Sequence, residues 1–312
     1  MAASRMYLSI SPHIRSKIST TSIMLDVIIA LLPTTIAGCV IFGLRSLAVV
    51  TVCVLAAVAS EFIFNLIMKK DQTIGDLSAV VTGLLLGLNL TTSIPLWQAA
   101  VGSVFAIIIV KCIFGGLGCN VVNPAITARV FMLIAFTAVT SSASPTIVDT
   151  ASGATPLDVL KGNDGSIPSI LNLFLGIKGG AIGEVCIVAL IIGGIYLIVR
   201  RVITWHIPVT FIATVFIFSF IFADFDFNSA IILTLSGGLF IGAIFMATDY
   251  VTSPSTPLGK IIFAFGAGFI TVIIRFYAIY PEGVSFAILL MNIVNPYIET
   301  LTKRKIFGGR EK

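Results

Sequence analysis

Charged side chains are scarce in this 312-residue sequence: Asp, Glu, Lys and Arg make up only 11% of it, whereas 57% is hydrophobic. The mean hydropathy is +1.10. A soluble domain carries about twice this charge. The composition therefore excludes a soluble domain and predicts an all-α polytopic membrane protein.

Metal-ligating residues are also sparse. The sequence contains two histidines, His13 and His206, and five cysteines with no C-x-x-C spacing. Most of the cysteines fall in or beside apolar runs, where a free thiol packs as a small hydrophobe. No nucleotide-binding fingerprint or iron–sulfur cysteine set is present. We therefore predict no metal site and no catalytic side chain, and expect any redox chemistry to need a cofactor.

Ten apolar runs are present, and most have the roughly 20 residues that a spanning helix needs. The third is short and contains Gly83 and Gly87, which favours a broken or half-length helix. No small-residue cleavage site follows the first run, so we expect a retained span rather than a signal peptide. The runs are 23–43, 46–68, 77–90, 96–114, 121–140, 180–200, 202–223, 228–246, 260–280 and 284–302.

The placement of Lys and Arg predicts the orientation, because cytoplasmic loops are enriched in both. With cytoplasmic termini, only four fall in outer segments: Arg45, Lys161, Lys178 and Arg275. The net charge of +5 is then explained by topology and predicts no nucleic-acid binding. Fourteen fall in cytoplasmic segments: Arg5, Arg15, Lys17, Lys69, Lys70, Lys111, Arg200, Arg201, Lys260, Lys303, Arg304, Lys305, Arg310 and Lys312.

The two halves of the sequence contain similar motifs in the same order. Asn-Val-Val-Asn-Pro at 120–124 recurs as Asn-Ile-Val-Asn-Pro at 292–296. Five spans per half predict two inverted five-helix repeats, with some broken helices and an outer loop after the fifth span. The expected divisions are a cytoplasmic segment (1–22), a first repeat (23–140), an extracytoplasmic loop (141–179), a second repeat (180–302) and a basic cytoplasmic tail (303–312).

The longest polar stretch, 149–158, contains Ser152-Gly153-Ala154-Thr155 followed by Pro156. Read locally, Thr155 is a helix N-cap with proline at the first helical position. A helix N-terminus also offers free N–H groups and a positive dipole end to a phosphate. The two interpretations are compatible, since a cap hydroxyl can also be a phosphate attachment point.

A second informative stretch, 114–125, holds three glycines followed by Asn120, Asn123 and Pro124. One interpretation is a tight turn followed by a helix that Asn123 caps. The other is a ligand site, because an amide offers both a donor and an acceptor to a heterocyclic ring edge. Both interpretations stay open at this stage.

These two stretches resemble those of a family that includes the RnfD-type membrane subunits of Rnf electron transport complexes and the related membrane subunit of the sodium-pumping NADH:quinone reductase. Ser11-Pro12-His13, the run 75–79, Phe245-Met246-Ala247-Thr248-Asp249 and Thr252-Ser253-Pro254 extend the resemblance to nearly the whole chain. The length of the chain is closer to that of the RnfD-type subunits, because the quinone-reductase subunit is longer.

The resemblance implies covalent FMN on Thr155 through a phosphodiester bond, with Ser152, Gly153 and Ala154 completing the attachment motif. It also implies a second, noncovalent flavin, riboflavin, near Asn120 and Asn123. The implied function is electron transfer within a complex that links the ferredoxin/NAD couple to movement of sodium ions or protons. The implied partners are Rnf subunits A, B, C, E and G, a flavin transferase and membrane lipid. The implied location is the bacterial inner membrane, with Thr155 on the extracytoplasmic side.

Asp26, Glu61, Arg129 and Glu184 are ionisable residues in or near the apolar runs, and Asp249 lies in a predicted cytoplasmic loop. Such residues usually face protein and have partners. Asp26 and Glu61 are expected to be partly interfacial. Arg129 is expected either to pair with a carboxylate or to hold a reduced flavin or phosphate, and Asp249 either to cap a helix or to coordinate a cation.

Two other functions fit the same architecture. A small-solute channel or transporter can also be built from inverted five-span repeats, and a purely structural subunit needs no cofactor. The Thr155 motif distinguishes the flavin-carrying subunit from these two alternatives, because a solute channel has no use for a flavin attachment site in an outer loop.

Overall fold

A computed structural model describes residues 19–136, 169–176, 179–278 and 283–303. Within these ranges the chain is helical and contains no β-strand. The first half forms α1 (Thr20–Phe42), α2 (Leu44–Ile67), α3 (Ser78–Leu88), α4 (Leu96–Val104) and α5 (Pro124–Ala135). Then follow α6 (Ile170–Leu175), α7 (Ile187–Val199), α8 (His206–Phe222), α9 (Phe227–Leu235), α10 (Leu239–Ile241), α11 (Pro257–Tyr277) and α12 (Val284–Thr302).

Four of these helices, α1, α2, α11 and α12, are long and apolar enough to cross a membrane. A fifth candidate span is broken: α9 and the segment that begins with α10 meet at 62°. Shorter apolar helices fill the space between them. The described residues therefore form a polytopic membrane protein. Five of the ten predicted runs form helices shorter than a straight span requires.

Helix α3 is short, as the sequence predicts, and ten of its eleven residues are buried. It packs against α2 so closely that a Cβ on Gly83 would lie 2.7 Å from the Cα of Val54 and 2.8 Å from the carbonyl oxygen of Cys53. Both neighbours are backbone atoms, and moving them would distort helix α2. Glycine is thus required here by the approach of the two helices.

The sixth run differs from the expectation, because its helix begins only at Ile187. The preceding residues, 179–186, are irregular, although most of them are buried. Irregular backbone is stable in apolar surroundings only when its polar groups find partners. Here the N–H groups of Ile182 and Gly183 donate to the carbonyls of Leu90 (3.0 Å) and Leu88 (2.6 Å), where α3 ends.

The helices of each half pack in a similar order. Helix α2 packs against α3 and α4, and α8 packs against α9 and α11. Two contacts cross between the halves: α1 lies along α7, and α5 lies along α12. The largest fully buried side chains include Phe211 in α8 and Phe263 in α11, which belong to the main apolar core.

A charged contact also ties α1 to the end of α7. The Oδ2 of Asp26 lies 3.3 Å from Nη2 of Arg200, and the Tyr196 hydroxyl donates to Oδ1 of Asp26 at 2.9 Å. Asp26 is only 5% exposed, so it is less interfacial than the sequence predicts. Arg275, in the last turn of α11, is also buried within the protein. Its guanidinium donates to the carbonyls of Leu233 (2.5 Å) and Ser236 (3.0 Å), at the break after α9.

Gly83→Ala should destabilise the protein, since its new methyl group would overlap the α2 backbone. Overpacking of this kind costs about 1–3 kcal/mol. Thermal unfolding of the purified full chain in detergent measures the effect. Gly75→Ala is the matched control, because a Cβ at Gly75 has no neighbour within 4 Å. Equal unfolding temperatures for the two variants would contradict the close packing of α2 and α3.

Candidate functional site

A cavity of about 240 Å³ lies between the two halves of the chain. Its walls come from the beginning of α1, from α3, from the end of α7 and from the two segments 117–125 and 245–251. Apolar side chains such as Met24, Leu85 and Phe245 make up most of the lining. The polar lining includes Ser78, Lys111, Asn120, Asn123 and Asp249. A mostly apolar wall with a few convergent polar groups is typical of a small-molecule site.

Asn120 and Asn123 reach the cavity because the chain reverses just before them. Gly115, Gly116 and Gly118 have φ values of 120°, 97° and 88°, in the region that favours glycine. The reversal follows a π-helical segment, Phe105–Cys112, that continues α4. Segments of this kind are frequent at functional sites. The two asparagines that the sequence singles out therefore do line one site.

Asn123 caps a helix at the wall of the cavity. Its Oδ1 accepts from the N–H groups of Ala125 (3.0 Å) and Ile126 (3.3 Å), so it caps α5 with Pro124 at the first position. It also lines the cavity. The helix-cap interpretation is confirmed, and the same residue remains available as a candidate ligand contact.

The Asn-Pro motifs of the two halves meet at this point. The Nδ2 of Asn123 donates to the carbonyl of Met246 at 3.2 Å. With the Asn292 amide oriented so that both of its atoms are bonded, its oxygen accepts from the Asn123 N–H at 3.2 Å. Pro296, the counterpart of Pro124, lies inside α12 instead of starting a helix. The similar motifs thus play different local roles while touching each other.

Lys111 is the unexpected member of the site. The sequence places it among cytoplasmic loop charges, but it is 3% exposed and ends in a buried ion pair with Glu61. Its Nζ lies 2.8 Å from Oε2 of Glu61 and 2.6 Å from Oγ of Ser78. Glu61 is 2% exposed, so the expectation that it is partly interfacial is also wrong.

Asp249 lies in the turn that follows a second π-helical segment, Gly242–Met246. It does not cap a helix: the next helix, α11, is capped by Thr256. Burial raises the pKa of the Asp249 carboxyl, and hydrogen bonds from Thr252 and Asn120 offset part of that rise. The Oγ1 of Thr252 lies 3.1 Å from Oδ2 of Asp249. A carboxyl with a raised pKa in a cavity marks a candidate functional group.

Arg129 lies elsewhere and is not among the described residues that line the cavity. Its Nη1 donates to Oδ1 of Asn89. A Cβ on Gly238 would lie 3.4 Å both from that Nη1 and from Oε2 of Glu184. This geometry favours the structural interpretation of Arg129, next to a carboxylate and at the break between α9 and α10.

Ser152, Gly153, Ala154 and Thr155 lie outside the described residues, so the attachment motif stays a prediction from the sequence. Sequence reasoning missed Lys111 and Ser78 as site residues. Lys111 lies at the end of an apolar run, where a lysine is usually explained by topology. Its distance in sequence from Glu61 gives no sign that the two are partners.

Comparison with known proteins decides the family. A model described as the NQR2, RnfD, RnfE family matches residues 7–308. The chain belongs to this family.

Three relatives match over almost their full length. The D subunit of the Na(+)-translocating ferredoxin:NAD(+) oxidoreductase complex of Acetobacterium woodii is 50% identical over 96% of this chain and 94% of its own. The D subunit of the proton-translocating ferredoxin:NAD(+) oxidoreductase complex of Clostridium ljungdahlii is 41% identical over 97% and 96%. The D subunit of the ion-translocating oxidoreductase complex of Stutzerimonas stutzeri is 36% identical over 93% and 92%.

Substitutions of Asn123 should separate its capping role from its amide contact. Serine caps a helix about as well as asparagine but cannot donate to the Met246 carbonyl, whereas alanine can do neither. Loss of a cap costs about 0.5–2 kcal/mol, and an unsatisfied buried carbonyl about 1–3 kcal/mol. We expect thermal stability to fall in the order wild type, Asn123→Ser, Asn123→Ala. Equal stability of the two variants would show that the cap contributes nothing.

Proposed function

We propose that this chain is the flavin-carrying membrane subunit of an Rnf-type complex. Its family and its relatives make it a subunit of an ion-translocating oxidoreductase complex, active as part of that complex. In this proposal it passes electrons on the ferredoxin/NAD pathway and couples their transfer to movement of sodium ions or protons. The names of two relatives specify different ions, sodium in one and protons in the other.

The covalent flavin rests on one observation, the complete Ser152-Gly153-Ala154-Thr155 sequence in the long polar stretch. The Thr155 hydroxyl would be esterified by the phosphate of FMN, and the small neighbours would allow a flavin transferase to approach the backbone. Pro156 after Thr155 favours a helix start at this point, where free N–H groups stabilise a phosphate.

The cavity supports a second, noncovalent flavin such as riboflavin. Its volume of about 240 Å³ is slightly below the range of ligand pockets, which runs from about 300 to 1,000 Å³. The apolar wall suits the flat faces of the ring system. Asn120, Asn123 and Lys111 offer donors and acceptors for its polar edge. A bound flavin would supply the electron transfer, while these residues bind and orient it.

The proposed topology is two inverted five-helix repeats with both termini in the cytoplasm. The similar packing order in the two halves, and the contacts of α1 with α7 and of α5 with α12, support this arrangement. The cavity lies at the end where α1 begins and α7 ends. The positive-inside rule assigns that end to the cytoplasmic side and Thr155 to the outer side. We propose Rnf subunits A, B, C, E and G as partners.

Thr155→Val should abolish the covalent flavin. In wild-type chain purified from cells that contain the flavin transferase, the peptide spanning Thr155 should be heavier by one FMN residue and fluoresce after denaturing electrophoresis. Thr150→Val is the matched control and should keep both signals. An unmodified wild-type peptide would refute the attachment and favour the structural-subunit or solute-channel alternatives.

Asn120→Ala should weaken the noncovalent flavin while leaving the covalent one in place. The measured quantity is flavin released by denaturation per chain, after the covalent flavin has been counted on the protein. We expect a loss of at least severalfold, because the amide supplies part of the polar edge contact. Asn228→Ala, at an exposed position in the first turn of α9, should retain wild-type content. Equal release from the two variants would contradict binding at Asn120.

A further inference from the structure

We propose that Lys111 is a positioning residue that holds the negatively charged, reduced form of the flavin in the cavity, and that Glu61 sets the strength of this effect. The inference rests on the second flavin proposed above and goes further by assigning its electrostatic partner. It draws on a buried ion pair between Lys111 and Glu61 that the sequence does not predict.

The contacts of Lys111 are those of the cationic partner in a buried ion pair. Ser78 has one hydroxyl proton, and its Oγ lies 2.5 Å from Oδ1 of Asp76, to which it donates. Ser78 therefore accepts from Nζ of Lys111 at 2.6 Å. Glu61 carries no proton to donate when ionised, so it also accepts from that nitrogen, at 2.8 Å. An ammonium donating to two acceptors is the arrangement that a charged lysine requires.

Glu61 is held in place from its other side. The Thr73 hydroxyl donates to Oε1 of Glu61 at 2.5 Å, and Nδ2 of Asn65 donates to Oγ1 of Thr73 at 3.1 Å. Both oxygens of the carboxylate are thus engaged. The ammonium of Lys111 is anchored on a fixed carboxylate and does not depend on a mobile surface group.

Lys111 still has one N–H to offer. An ammonium has three donors, and within the described ranges two of them go to Glu61 and Ser78. Lys111 and Ser78 line the cavity, whereas Glu61 does not. Among the described lining residues, Lys111 is the one with a cationic side chain. A ligand next to Lys111 therefore meets the positive end of the pair, while Asp249 is the acidic side chain of the described lining.

Because Lys111 is nearer to the cavity than Glu61, the ion pair favours the reduced, negatively charged flavin over the oxidised one. One electron added to a neutral flavin gives it one negative charge, without making or breaking a bond. In a site with little water, that charge is stabilised by a nearby fixed cation. In the complex the electron would come from the covalent FMN, and in the test below it comes from dithionite. Glu61 opposes the effect because it neutralises part of the field of Lys111.

The test is a redox titration of the noncovalent flavin in the purified full chain with dithionite. The Thr155→Val background removes the covalent flavin, so that one flavin signal remains. Lys111→Gln should make the midpoint potential more negative. Glu61→Gln should make it more positive, because less negative charge then opposes the charge of the lysine. A tenfold change in the relative affinity for the reduced and oxidised forms corresponds to 59 mV for a one-electron step. We expect shifts of about this size or larger.

Two further variants keep the test decisive if a single change prevents folding. Leaving one member of a buried pair uncompensated is strongly destabilising. Lys111→Gln combined with Glu61→Gln leaves no unpaired charge, and its potential should lie below that of wild type but above that of Lys111→Gln. Lys111→Arg keeps the positive charge and should retain a potential close to that of wild type.

The outcomes separate the two proposals. Opposite shifts for the two single variants, or a lower potential in the double variant, support the assignment. Retained flavin with an unchanged potential in Lys111→Gln or in the double variant overturns the role of Lys111 and leaves the cavity as the flavin site. A Thr155→Val chain that releases no flavin overturns both the flavin site and the role of Lys111.

Discussion

The structure depends on one constraint: charged side chains and backbone polar groups that the chain places in its apolar interior need internal partners. With so few charges in the sequence, each buried one is individually accounted for. Lys111 pairs with Glu61, and the Arg129 guanidinium lies against Asn89 and beside Glu184. An unpaired charge at these positions would strongly destabilise the protein, because no water is there to solvate it.

The same constraint explains why irregular backbone is concentrated at a few places. The end of α3, residues 179–186 and the break between α9 and α10 come together in the interior. Backbone N–H groups of one segment donate to the carbonyls of another there, and Arg275 satisfies carbonyls at the break. Helices that stop inside an apolar protein leave unsatisfied groups, and here those groups help to join the two halves.

A different contact between the two halves borders the cavity. Asn123 caps a helix of the first half and donates to the Met246 carbonyl of the second, so one side chain fixes both a helix start and a contact between halves. The short helix α3 and the π-helical segment bring Ser78 and Lys111 to the same wall, and Glu61 of α2 pairs with Lys111 behind it. A site built this way is held by both halves, and a conformational change that moves one half against the other would alter it.

The sequence by itself determined the class of protein, the positions of most helices and the short third helix, because these depend on local hydropathy, on glycine and on length. It also determined that Asn123 precedes a helix, since Asn-Pro is a local signal, and it pointed to Asn120 and Asn123 as a possible site. Only the tertiary structure decided which charges are partners. Glu61 and Lys111 are 50 residues apart, and no local pattern distinguishes a buried lysine at the end of a span from one in a cytoplasmic loop. The late start of α7 likewise depends on hydrogen bonds to α3, which belong to a distant part of the chain.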